Sequence, residues 1–107
     1  MRTVPVGLVQ QDQLEKAIED AIRKLPKKDV VRVRYSMGED WTGDPSIYFR
    51  IVLTDAASRE KRLAEVVDRI STTIFEELRP LENWGLLPYF SFRSKSEQDQ
   101  RTDPEWA

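Results

Sequence analysis

Val31-Arg32-Val33-Arg34-Tyr35-Ser36-Met37 and Ile47-Tyr48-Phe49-Arg50-Ile51-Val52-Leu53, joined by the loop Gly38-Glu39-Asp40-Trp41-Thr42-Gly43-Asp44-Pro45, decide the fold of this chain. Strand side chains alternate with a period of two, so Val31, Val33, Tyr35 and Met37 take one face of the first run and Arg32 and Arg34 the other. In the second run Ile47, Phe49, Ile51 and Leu53 form the apolar set, leaving Tyr48 and Arg50 beside the first run's arginines. A third run, Tyr89-Phe90-Ser91-Phe92-Arg93, sends Phe90 and Phe92 inward and Tyr89, Ser91 and Arg93 outward. If the three share a sheet, its outer face carries Arg32, Arg34, Arg50 and Arg93 with Tyr48 and Tyr89 and no acid.

Two helices flank these strands. Leu14, Ala17, Ile18, Ala21, Ile22 and Leu25 fall on one helical stripe, with a start resembling a capping box at Asp12 and Glu15 and a stop at Pro26. Leu63, Val66, Val67, Ile70, Ile74 and Leu78 form a second stripe within Ser58–Arg79, ended by Pro80. The connection that follows bears Trp84, expected against the rim, with Gly85 and Pro88 as turn residues. The order helix, strand, strand, helix, strand predicts an α+β two-layer sandwich, a three-stranded sheet with both helices on one face and Phe49, Ile51, Phe90 and Phe92 central to the core. Residues 1–93 then form one domain, with 1–10 as an arm or edge strand. Residues 94–107, almost without apolar content before Trp106, read as a mobile acidic tail in which Trp106 is idle in preference to being a docking motif.

A chain of 107 residues is one domain that buries roughly two-thirds of its unfolded surface. It has no Cys and no His, which removes disulfides, thiolate nucleophiles, Cys or His metal sites and imidazole-based triads. No apolar run reaches the roughly 18 residues of a membrane span, and the first nine residues are too short and weakly charged for a secretory signal, so the expectation is a cytoplasmic protein with no membrane part. The net charge of -2 is uneven: residues 1–93 hold fifteen basic and fifteen acidic side chains, and the tail holds the whole excess. A neutral body is not the footprint of a duplex-DNA binder.

The element order, over residues 11–93, resembles type II KH-like domains and the small cytoplasmic domains of cation-efflux transporters. A KH domain clamps nucleic acid with a Gly-X-X-Gly turn, and Gly7, Gly38, Gly43 and Gly85 form none. The transporter resemblance implies a membrane segment and metal-binding His, which this sequence lacks. No functional residue is carried over from either.

The candidate binding residues are Arg32, Arg34, Trp41, Tyr48, Arg50, Tyr89 and Arg93. Arg and Tyr side by side on a sheet suit a protein contact, where both are enriched, and a single-stranded nucleic acid site, where rings stack bases and guanidinium groups meet phosphates. The third alternative is a solvated face whose arginines pair with Glu39, Asp40 and Asp44. Those carboxylates suit a hard cation, although their spacing is not that of an EF-hand, and no metal or cofactor is assigned. Asp40 with Asp44 and Glu76 with Glu77 are the carboxylate pairs available for acid–base work, and no catalytic motif accompanies them. The reading is a non-enzymatic module that binds another protein, such as one encoded by a neighbouring gene, or a second copy of itself. Single-stranded RNA or DNA comes second, and a metal-dependent enzyme built on the acidic loop third.

Overall fold

A computed structural model describes residues 10–101 and 103–107; the arm assigned to Thr3–Val9 lies outside them. Helix α1 (Gln11–Arg23) leads into β1 (Val30–Glu39) and β2 (Pro45–Leu53), followed by α2 (Glu60–Leu78), a short α3 (Pro80–Trp84), β3 (Leu87–Ser94), α4 (Lys95–Gln100) and a 3-10 turn over Pro104–Trp106. Among the described residues the sheet has three strands in the order β1-β2-β3, β1 antiparallel and β3 parallel to the central β2. The fold is the expected α+β arrangement. Helices α3 and α4 and the 3-10 turn add to the expected elements.

Alternation and helical stripe agree on one core. Ile47, Phe49, Ile51 and Leu53 from β2 pack with Leu14, Ile18 and Leu25 near or on α1 and Val66, Ile70, Ile74 and Leu78 of α2, all buried, while Phe90, Phe92 and Trp84 pack against this cluster from partly buried positions. The Phe49 and Phe90 rings stack with centroids 5.4 Å apart, which ties β3 to the centre of the sheet.

Three local expectations are corrected. Val31 does not face the core: the register shifts between Val30 and Arg32, leaving Val31 as the extra residue of a bulge, 39% exposed, while Val30 packs against the core in its place. Asp12 is not an N-cap, because α1 begins at Gln11; the carboxylate sits instead in the first turn, where it faces the positive end of the helix dipole. Leu63, assigned to the stripe of α2, lies in its first turn and is exposed.

The end of α2 follows from Pro80. A residue before proline is disfavoured in the α region, so the helix stops and Arg79 turns into the left-handed region (φ 46°, ψ 64°), from which Pro80 opens α3 at a position that needs no N–H donor. Gly85, at φ 67°, closes α3 and delivers the chain to β3.

Candidate binding face

Register places the outward side chains in rows across the sheet: Arg32, Val52 and Arg93; then Arg34, Arg50 and Ser91; then Ser36, Tyr48 and Tyr89. The expected arginines and tyrosines therefore do share one face, but its two ends differ.

At the arginine end the chain's own terminal residues lie on the sheet. Arg50 Nε donates to the Glu105 carbonyl at 2.9 Å, Arg32 Nε to the Trp106 carbonyl at 2.9 Å and Arg34 Nε to the backbone oxygen of Ala107 at 2.7 Å. Three guanidinium groups from two strands thus meet three successive backbone oxygens. Arg93 adds side-chain recognition. One of its nitrogens lies 2.7 Å from Asp103 Oδ2, another donates to Gln98 Oε1, and its guanidinium carbon stands 4.2 Å from the centre of the Trp106 ring. Val52, outward by register between Arg32 and Arg93, is buried, as is Trp106 at 7% exposure.

The arginines accordingly do not pair with Glu39, Asp40 and Asp44. The segment expected to be a mobile tail instead carries α4, whose N-cap Ser94 and Glu97 form a capping box, and a turn seated on the sheet; Ser96 further donates through its backbone and hydroxyl to Asp55. Trp106, read as idle, is the apolar centre of this contact. The available sequence signal was a lone Trp beside acids, facing a strand set with four arginines and no acid.

The other end of the face is aromatic. Tyr48 and Tyr89 stack with centroids 5.4 Å apart, and Trp41 leans on Tyr89 at 5.6 Å with 58° between the rings. Trp41 is 83% exposed even so. Its loop is held from within by Asp40. Asp40 Oδ1 accepts from the Thr42 N–H, the Thr42 hydroxyl and the Asp44 N–H; Oδ2 accepts from the Tyr89 hydroxyl at 2.8 Å. The Asp40 N–H donating to the Asp44 carbonyl and the left-handed Gly43 (φ 84°) complete the turn. Tyr48 Oη donates to the Glu39 carbonyl.

These bonds set the titration of the loop. The Thr42 hydroxyl, and after it the Asp44 and Thr42 N–H groups and the Tyr89 hydroxyl, hold the Asp40 carboxyl down to about 2. The same contact, seen from Tyr89, raises the phenol, since its proton is engaged by Asp40. Among the described residues no group of three acidic, His or Cys side chains is arranged to hold a metal ion, and Asp40's oxygens are committed to its own loop and to Tyr89. No helix among them is long and apolar enough to cross a membrane. Comparison with family models, curated proteins and solved structures finds no match for this chain.

Proposed function

We propose that this chain is a non-enzymatic binding module for another protein, or for a second copy of itself, with Trp41 as the anchor and Tyr48 and Tyr89 as the adjoining contact. The observation that carries the reading is a large aromatic side chain, 83% exposed, on a loop tied to one carboxylate by two of its own backbone N–H groups, the Thr42 hydroxyl and the Tyr89 hydroxyl of β3. An isolated exposed Trp on a loose loop would lose much of its binding gain to ordering. A loop already held in one conformation avoids that cost, and aromatic anchors dominate protein interfaces. The arginine end argues against single-stranded nucleic acid as the ligand, because the Nε donors of Arg32, Arg34 and Arg50 are engaged by backbone oxygens and Arg93 by Asp103 and Trp106.

A photo-crosslinking residue placed at the exposed Glu39 beside the loop, compared with the same residue at Lys16 on α1, tests this in cells. Adducts from position 39 that are protease-sensitive, contain a defined protein or a second copy of the chain, and vanish with Trp41→Ala support the reading. Nuclease-sensitive adducts, or protein adducts indifferent to Trp41, overturn it.

A further inference from the structure

The arginine end of the face carries a separate inference. The bonds from Arg50, Arg32 and Arg34 go to the backbone oxygens of residues 105, 106 and 107, contacts that any peptide of the same path can make. Selection comes from Arg93, which grips Asp103 and covers the Trp106 ring. Among the described residues the core on the opposite side of the sheet reaches into β3 through Phe90 and Phe92 and includes nothing after Phe92. Helix α4 is anchored independently, through the Ser94 capping box and the Ser96–Asp55 bonds. The seat can therefore be emptied while the helix–sheet core and α4 stay in place.

We propose that this end is a peptide groove, and that residues 103–107 are its occupant in cis, displaceable by a segment of another polypeptide with an acidic residue three positions before a Trp. The acidic segment complements a strand surface set with four arginines and no acid. The side-chain and main-chain contacts of Asp103 to Ala107 define what a competing segment must present. The cis occupant competes at an effective concentration on the order of millimolar, as short tethers do, so the intact chain accepts a foreign segment only weakly until its own is released.

The test uses the full chain and a fluorescein-labelled peptide of sequence Arg-Thr-Asp-Pro-Glu-Trp-Ala, followed by anisotropy. The peptide binds the Trp106→Ala chain at least about tenfold more tightly than the wild type, as removal of a tethered competitor requires. Binding disappears when the peptide's Trp is replaced by Ala or when Arg93→Ala is added to the Trp106→Ala chain. The backbone spectrum of the Trp106→Ala chain meanwhile keeps the shifts of Ile47–Leu53. Asp103→Lys, which reverses one charge and leaves the Trp, provides a second opened chain if Trp106→Ala does not fold. No binding to either folded, opened variant overturns the proposal, and so does equal binding to the wild type. Trp41→Ala leaves peptide affinity unchanged; a loss there would put the peptide at the aromatic end and overturn it equally.

Discussion

Asp40 shows how one side chain shapes the five-residue connection between β1 and β2. Its carboxylate answers four donors, three of them within the turn, so its ionised form is the form that shapes the loop. A carboxyl depressed in the folded chain contributes order that is complete above its unfolded value, about 4, and is lost as pH falls through its folded value. With Asp40 at about 2, the Trp41 near-ultraviolet signal should stay constant from neutral pH to about pH 4 and collapse between there and about 2. Collapse centred above pH 4 would contradict this. The raised phenol of Tyr89 has the opposite sense: its bond to Asp40 is present at neutral pH and lost as pH rises through the elevated value. Asp40→Asn should therefore bring the Tyr89 titration, followed by its ring-carbon shift, down toward the ordinary value. Trp41→Ala should change unfolding free energy by less than about 0.5 kcal/mol, as expected for a surface residue that packs on little. A loss several times larger, read from urea midpoints, would make Trp41 a plug instead of a displayed group.

At the scale of elements, the sheet's centre and one helix end carry the sharpest predictions. Phe49→Ala, which empties a fully buried ring site stacked on Phe90, should cost about 3–5 kcal/mol. Arg79 pays for its left-handed conformation with about 1 kcal/mol that Asn largely avoids, so Arg79→Asn should raise stability by about 0.5 kcal/mol in equilibrium unfolding. A decrease would mean that the exposed Arg79–Glu82 pair outweighs the backbone strain. Elements with sustained periodicity were legible in the sequence: β2 alternates cleanly enough that Ile47, Phe49, Ile51 and Leu53 are all buried, and the stripes of α1 and α2 point at them. Legibility failed where period gives no purchase. Val30 and Val31 are both apolar, so alternation cannot say which is the bulged residue. A five-residue helix opened by proline and a three-residue 3-10 turn are too short for a stripe.

Taken as a whole, the chain uses both faces of a single thin sheet for different ends. One face carries the helix-covered core; the other is divided between an aromatic end that stays open and an arginine end on which the terminal residues rest. The strand alternation revealed that these arginines and tyrosines share a face. It could not reveal the cover, because a segment of acids with one Trp packs only once the strands have assembled its complement. Trp106→Ala should cost about 2–3 kcal/mol, less than removal of a fully enclosed aromatic, since Trp106 leans on one face of the sheet and stands outside the main core. An unfolding midpoint unchanged by this substitution would show that the terminal contacts contribute nothing in solution.

The affinity of the purified chain for the protein captured through position 39, measured by calorimetry for wild type and Trp41→Ala at low and high salt, tests the central claim most directly. An anchor of this kind loses on the order of 2 kcal/mol when truncated, roughly a thirtyfold weakening, and the wild-type affinity should vary little with salt. Affinity unchanged by Trp41→Ala, or one that falls steeply as counterions are added, would contradict it.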